Sequence, residues 1–345
     1  PLFATPRTAT VSFEVGVVPF IGEANKSVGL AVFSVVFFGV AYWLSMSPGK
    51  LVDRIGKILT PALLLTIAAL VGYAALNPMG ALTEAQGDFV TQPLAKGILE
   101  GYGTMDALAS LVFAIIVIDA VRAMGVDNRA ELLRTTTVSG VIAASCLAAV
   151  YLFIGYMGAT SVAGLGVQEN GALVLSKTAQ YYFGMGGNVL LGVIVLLACL
   201  STAVGLITSC AEYFNRLCPG ISYKMFVIIN TLVSMGLANK GLADIISFSV
   251  PVLMLLYPLT VVIILLAFLH NFFGGSRIVY FCTIMATLVV GLLDAYKAAF
   301  GFSEEAASAI NNVLPLYHIG LGWLLPATAG FVLGCILNAA LKKKA

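Results

Sequence analysis

A short stretch rich in glycine and hydroxyl groups opens an apolar segment within residues 96–111. Glycine raises the cost of continuing a helix, so this stretch favours a helix that is interrupted. An interrupted helix exposes backbone carbonyl and N–H groups and the dipoles of two half-helices, which can bind a zwitterion and a cation inside a membrane. The alternative is that Asp106 caps a helix at the membrane interface. The residues that we assign to ligand binding here are Gly101, Tyr102, Gly103, Thr104, Met105 and Asp106.

Three oxygen-bearing groups lie in the middle of another apolar segment, at Ala198, Ser201 and Thr202. The Ala198 carbonyl shares a helical face with Ser201, because the two residues are three positions apart. Three oxygen atoms form a partial shell for a hard cation such as Na⁺, provided that another helix supplies the rest. The alternative is that both hydroxyls bond back to the preceding turn or pack between helices, as they usually do in membrane helices.

Among the predicted crossings, the first apolar segment, residues 2–18, contains the most polar residues. It contains Thr8, Ser12 and Glu14, and Arg7 stands seven residues before Glu14 on the same helical face. Charges inside a membrane are costly unless they pair with each other or face water. Arg7 is therefore expected either to pair with Glu14 or to lie at the cytoplasmic interface.

The elements that position these groups are predicted to be membrane-spanning helices. Hydrophobic residues make up 60% of the 345 residues and charged residues only 10%, a balance unsuited to a water-soluble surface. Lipid offers no hydrogen-bond partner to the backbone, so each crossing should be a helix of ~20 residues. The sequence thus predicts an all-α polytopic membrane protein with crossings at residues 2–18, 28–46, 59–76, 105–121, 138–157, 189–213, 225–237, 245–269, 278–293 and 319–341.

Loop charges predict the orientation of these crossings. Loops rich in Lys and Arg alternate with loops that are neutral or acidic, and the positive-inside rule places the basic loops and the C-terminus in the cytoplasm. The net charge of +2 is explained by this topology, so no nucleic-acid partner is expected. The basic residues of the cytoplasmic side are Lys50, Arg54, Lys57, Arg122, Arg129, Arg134, Arg216, Lys224, Arg277, Lys342, Lys343 and Lys344.

Two long stretches, residues 77–104 and 159–188, are predicted to be extracytoplasmic loops, either as lids or gates or as simple surface loops. The sequence contains no phosphate-binding loop, zinc-protease helix or nucleophile elbow, so neither an enzyme nor an ATP-driven pump is expected. The six cysteines lack paired spacing and are interpreted as small hydrophobic residues of helices. No cofactor is therefore expected.

Several motifs resemble those of the bacterial branched-chain amino acid:cation symporters, the BrnQ-like carriers. They are FATPRTATVSFEVG from Phe3, GYGTMDAL from Gly101, ACLSTAVGL from Ala198, SVPVL from Ser249 and LYP from Leu256. The resemblance covers the whole chain and implies a leucine-transporter-type helical bundle, an inverted repeat of five plus five helices with two more appended. It implies one transporter domain over residues 1–345 that begins at the third helix and lacks the first two.

The resemblance also implies roles for the polar groups. The first segment would be the third helix, which lines the substrate, so Thr8 and Ser12 join the candidate substrate-binding residues. Residues 101–106 would be the unwound part of the sixth helix. Ala198, Ser201 and Thr202 would match the eighth-helix half of a Na⁺ site, with Ser201 in place of a more frequent threonine. The discontinuous first helix, which supplies much of the remaining coordination in that fold, is expected to precede this chain.

The sequence therefore predicts a secondary symporter of the bacterial inner membrane that imports leucine, isoleucine and valine. Its partners would be the amino acid, a coupling cation (Na⁺ or H⁺) and the lipid bilayer. Three alternatives stay open. Another solute carrier of the same fold would differ in its pocket residues, a proton-coupled carrier would need Asp106 or Glu14 to titrate, and a receptor or scaffold would not transport at all.

Overall fold

The computed structural model describes residues 3–21, 25–46, 50–126 and 128–342, which are mostly helical and contain no β-strand. Two 3₁₀ helices, Val18–Phe20 and Tyr317–Ile319, accompany the α-helices. The α-helices are α1 Ala4–Gly16, α2 Lys26–Ser45, α3 Lys50–Leu76, α4 Asp88–Thr91, α5 Pro93–Tyr102, α6 Asp106–Ala123, α7 Arg129–Leu165, α8 Gly171–Leu217, α9 Tyr223–Ala238, α10 Leu242–Phe268, α11 Arg277–Phe300, α12 Glu304–Val313 and α13 Leu324–Lys342.

Each of the ten predicted crossings coincides with a helix. Six described helices, α2, α7, α8, α10, α11 and α13, are long and apolar enough to cross a membrane by length and composition. Pro61–Leu76 within α3 and all of α9 are shorter apolar stretches, and α1 has only 13 residues. The predicted start of the first crossing, Leu2, lies outside the described residues. The prediction of an all-α polytopic membrane protein is confirmed.

The predicted loop over residues 159–188 is wrong. Helix α7 continues to Leu165, and α8 begins at Gly171 and runs for 47 residues through a kink at Gly184, whose φ is 61°. The part of α8 before the kink is not an apolar run, so hydropathy alone interprets it as a loop. The other long stretch, residues 77–104, contains α4 and α5, and the last crossing begins at Leu324 rather than at residue 319.

The described residues divide into two compact units. The first unit takes its residues from 1–84 and 121–245, and the second from 85–120 and 246–345. In the first unit, α1 and α8 run antiparallel, because Ser12 lies beside Cys199 whereas Gly16 lies against Gly192. A Cβ atom on Gly192 would stand 2.8 Å from the Cα of Gly16. The absence of side chains here lets the two backbones touch.

In the second unit, α11 and α13 approach each other in the same way. Gly330 and Gly334 are four residues apart and share a face of α13. A Cβ atom on them would stand 2.7 Å from the Cys282 carbonyl oxygen and 2.7 Å from the Val279 Cα, respectively. This is the small-xxx-small pattern that packs helices where lipid provides no hydrophobic driving force between them.

A single added methyl group tests the contact between α1 and α8. Gly192→Ala should destabilise the protein by about 1–3 kcal/mol, because a Cβ at 2.8 Å from backbone overpacks the interface. Gly155→Ala in α7 is the control, since nothing lies within 4 Å of a Cβ there, and alanine favours a helix by about 1 kcal/mol over glycine. Thermal unfolding in detergent should thus shift in opposite directions. Equal shifts would mean that the contact carries no packing energy.

Candidate substrate and cation sites

The predicted interruption of the helix is present at the end of α5. Helix α5 ends at Tyr102 and α6 begins at Asp106. Turn hydrogen bonds close the interval, with Thr104 N–H donating to the Gly101 carbonyl and Met105 N–H to the Tyr102 carbonyl, both at 3.2 Å. The sequence attributes the interruption to the glycines, but Gly103, although outside the helix, keeps an ordinary right-handed conformation with a φ of −63°. Met105 turns the chain instead, with a φ of 63°, a region that costs a side-chain-bearing residue roughly 1–2 kcal/mol.

Two stacked tyrosines hold this break against α10. The rings of Tyr102 and Tyr257 are 4.5 Å apart between centroids and nearly parallel, at 17°. Both side chains are buried, and Leu253 completes the buried part of the cluster. Partly buried apolar side chains pack around them, among them Leu99, Met105 and Leu108. The break therefore has an aromatic and aliphatic wall on one side.

Tyr257 is a polar residue of this site that the sequence reasoning missed. Its side chain is 3% exposed, and its hydroxyl lies beside the Thr104 side chain and the backbone of Met105 and Ala107. No hydrogen bond of standard geometry satisfies this hydroxyl within the described part of the chain. A buried hydroxyl without such a bond is costly, and it suits a position that a polar ligand completes. The signal in the sequence was the Tyr257-Pro258 pair, to which no role was given.

Asp106 occupies the first turn of α6. A carboxylate there is favoured by the positive end of the helix dipole, as the capping interpretation requires. Asp106 also lies close enough to Tyr257 to interact with it electrostatically. Its place in the break therefore fits both capping and contact with a ligand, and the two roles are compatible.

The three candidate cation ligands come together on α8 in the first unit. The Ser201 hydroxyl donates to the Ala198 carbonyl at 2.8 Å, and the Thr202 hydroxyl donates to the same carbonyl at 3.0 Å. This is the back-bonded arrangement of the alternative interpretation. A hydroxyl that donates its proton to a carbonyl still presents its own lone pairs. Thr202 is exposed and Ser201 half-buried, so these oxygens remain open to a cation.

Thr8 and Ser12 lie on α1, also in the first unit. Ser12 is 1% exposed, donates to the Thr8 carbonyl at 2.7 Å and lies beside Cys199 of α8. Thr8 is half-buried and donates to the Thr5 carbonyl at 2.7 Å. Ser12 is thus part of the interface between the helices that carry the two sets of first-unit candidates. Their part in substrate binding stays a prediction.

Glu14 forms an ion pair with Lys26 of α2, with 3.3 Å between Oε1 and Nζ. The Glu14 side chain is 7% exposed and that of Lys26 29%. The Oε2 atom of Glu14 is buried and makes no hydrogen bond within the described residues. A buried carboxylate with one oxygen unsatisfied is unusual, because an ionised group in a dry interior needs several partners.

Comparison with known proteins decides the family. The family model described as "Branched-chain amino acid transport protein" matches residues 1–341. The chain belongs to this family. The branched-chain amino acid permease BraB of Bacillus subtilis is 46% identical over 98% of this chain and 76% of its own length. Branched-chain amino acid transport system 2 carrier protein of Pseudomonas aeruginosa is 42% identical over 99% of this chain and 77% of its own length.

The same relationship extends to the BrnQ permease of Escherichia coli, which is 37% identical over 99% of this chain and 76% of its own length. No solved structure gives a significant match. The family and these relatives are transport proteins, so the expectation that the chain is not an enzyme is confirmed. Membership of the branched-chain amino acid transport protein family also confirms the resemblance that the sequence motifs carry.

The backbone at Met105 can be tested through stability alone. Met105→Gly should be more stable than Met105→Ala by about 1 kcal/mol, because both lose the side chain but only glycine accepts a positive φ without strain. Leu108 provides the control within α6, where alanine should exceed glycine by about 1 kcal/mol. Thermal unfolding of the four variants gives both differences. The same sign at both positions would mean that Met105 does not hold a left-handed turn.

Proposed function

We propose that this protein imports leucine, isoleucine and valine by symport, with Na⁺ as the coupling ion. Family membership and the names of the relatives support transport of branched-chain amino acids. The observation that carries the binding site is the break of residues 103–105 beside the buried Tyr257 hydroxyl. A branched-chain amino acid needs polar groups for its charged end and an apolar wall for its side chain, and the break has both.

In this proposal each end of the zwitterion meets a different part of the break. The carboxylate would face the N–H groups that open α6 and the Tyr257 hydroxyl, because a helix N-terminus and a neutral donor both favour an anion. The ammonium group would face the Asp106 carboxylate and the carbonyl end of α5. The aliphatic side chain would lie against Leu253 and Leu108.

Proton coupling is the second candidate, and the Glu14 pair favours it. Glu14 is a buried carboxylate whose Oε2 makes no hydrogen bond within the described residues, and ionisable groups buried in membrane proteins commonly belong to proton or ion pathways. In that case Glu14 would carry the coupling proton, and Ala198, Ser201 and Thr202 would only stabilise α8. Ion gradients imposed separately on proteoliposomes with the complete transporter distinguish the two candidates. Leucine uptake driven by a Na⁺ gradient alone supports the first, and uptake driven by a pH gradient alone supports the second.

The cation ligands are tested by removing their hydroxyls. The Ser201→Ala, Thr202→Ala double variant should weaken Na⁺ activation of leucine uptake, at a cost of ~1–3 kcal/mol for each engaged oxygen. Thr208→Ala is the matched control, because Thr208 lies on the same helix and bonds back to Val204 and Gly205 at 2.9 and 3.0 Å. Unchanged Na⁺ dependence in the double variant would leave these hydroxyls with a packing role only.

The substrate site is tested with a bulky residue at the break. Gly103→Val should abolish leucine uptake at matched expression, because a β-branched side chain would occupy the break and a Cβ there already stands 3.1 Å from the Glu100 carbonyl oxygen. Gly97→Val is the control on the same helix, since nothing lies within 4 Å of a Cβ at that position. Retained uptake and competition by isoleucine and valine in Gly103→Val would move the substrate site elsewhere.

We further propose that the protein resides in the bacterial inner membrane with its C-terminus in the cytoplasm, on the loop charges given above. Single cysteines at Arg129 and Arg216, both exposed, should be shielded from a membrane-impermeant thiol reagent in intact cells. A cysteine at Glu84, exposed and on the opposite side, should react. The labelling would be done in a cysteine-free background. The reverse pattern would overturn the orientation.

A further inference from the structure

A cavity of mixed charge lies in the second unit, apart from the break. Its volume is about 350 Å³, within the roughly 300–1,000 Å³ of small-molecule sites. Helices α4, α5, α10 and α11 and the 3₁₀ helix before α13 contribute to its walls. Its polar lining residues are Asp88, Gln92, Lys96, Asp294, Lys297 and His318.

The charges of this cavity fit a ligand that carries both signs. The lining contains two carboxylates and two ammonium groups, so a simple anion or a simple cation would meet repulsion as well as attraction. Lys96 is held by Glu100 at 3.0 Å, and the Lys297 Nζ lies 5.2 Å from the centre of the Tyr317 ring. Both lysines are thus placed by neighbours that leave further N–H donors available.

Tyr317 is a buried residue that lies beside Asp294 and Lys297, two charged residues of the cavity lining. Its side chain is 1% exposed, and its hydroxyl lies beside the Asp294 carboxylate without a hydrogen bond of standard geometry among the described residues. Burial raises the pKa of the Tyr317 hydroxyl, and the neighbouring Asp294 raises that pKa further. The hydroxyl therefore stays protonated and keeps an O–H group next to the Asp294 carboxylate.

The remaining wall is aliphatic. It comprises Leu99, Met254 and Ile319, and a Cβ on Gly320 would stand 2.6 Å from Leu99. Leu99 and Met254 also pack against the cluster of Tyr102 and Tyr257. One layer of side chains is thus shared by the cavity and the wall of the break.

We infer that this cavity is a second binding site for a zwitterionic aliphatic amino acid, distinct from the break. The ligand carboxylate faces Lys96 and Lys297, its ammonium group faces Asp294, and its side chain lies against Met254 and Ile319. The inference rests on the proposed function for the identity of the ligand. Because Leu99 and Met254 belong both to the cavity lining and to the packing around the tyrosine stack, the cavity lies next to the break.

Equilibrium binding of radiolabelled leucine to the purified complete transporter tests the inference by stoichiometry. The wild type should bind two molecules of leucine, and Lys297→Gln and Ile319→Trp should each bind one. Glu304→Gln, an exposed change outside the cavity, should still bind two. Gly103→Val should bind one molecule, at the cavity.

A wild type that binds one molecule, lost in Gly103→Val and kept in both cavity variants, would overturn the second site and leave the proposed function intact. No leucine binding by the wild type would overturn both.

Two further measurements separate a direct role of the cavity from misfolding. In a cysteine-free background, leucine should slow the modification of Gln92→Cys by a thiol reagent at least tenfold, but not that of Glu84→Cys. Competition with 4-methylpentanoate and with 3-methylbutylamine, which each keep one charge of leucine, should be at least tenfold weaker than with leucine itself. Equal protection of both cysteines, or equal competition by either single-charge analogue, would overturn the zwitterion site.

Discussion

The requirement that every backbone N–H and C=O group find a partner inside lipid governs this structure. It accounts for the almost continuous helices and also for the behaviour of the hydroxyl side chains. Thr231, Thr283 and Thr287 all donate to the carbonyl four residues earlier. Thr202 does the same and Ser201 donates to the carbonyl three residues earlier, so their back-bonding does not by itself distinguish a cation ligand from a structural residue. Both hydroxyls donate to one carbonyl oxygen, that of Ala198, so this carbonyl is already occupied and only the lone pairs of the hydroxyls are left for a cation.

Because lipid cannot satisfy the backbone, places where the chain departs from a regular helix leave polar groups that need another partner. Residues 103–105 leave the helix, and turn hydrogen bonds replace only part of the regular pattern. Pro258 removes the N–H that would otherwise bond to the Met254 carbonyl of α10. The stack of Tyr102 on Tyr257 joins the end of α5 to α10 next to this proline. The backbone of Met105 and Ala107 lies beside the buried Tyr257 hydroxyl, although the surrounding side chains are aromatic and aliphatic.

Much of this architecture was predictable because a long apolar segment is sufficient to identify a membrane helix. The interruption after Gly101 was also predictable, since glycine weakens a helix wherever it clusters. The residue with the positive φ, Met105, was not predictable. Several residues of this stretch could adopt a left-handed conformation, and the sequence alone does not show which one does. Helix α8 before Gly184 was missed because its sequence, which includes Lys177 and Gln180, has no long apolar run by which to recognise a membrane helix. Tyr257 was missed because a tyrosine within an apolar run is expected to fill the core. Only its tertiary neighbours show that its hydroxyl makes no hydrogen bond of standard geometry among the described residues.

The second unit suggests how binding and movement are linked. Leu99 and Met254 line the mixed-charge cavity and also pack against the tyrosine stack beside the break. A zwitterion cannot cross such a layer while it is closed, because desolvating two charges in an apolar layer is far more costly than rearranging side chains. The N–H groups that open α6 and the Tyr257 hydroxyl can offset the cost of desolvating the ligand only after the layer has opened. If the two proposed sites exchange ligand, occupancy of the break and opening of the Leu99 layer are coupled, because the ligand cannot pass while Leu99, Met254 and the aromatic pair are in contact.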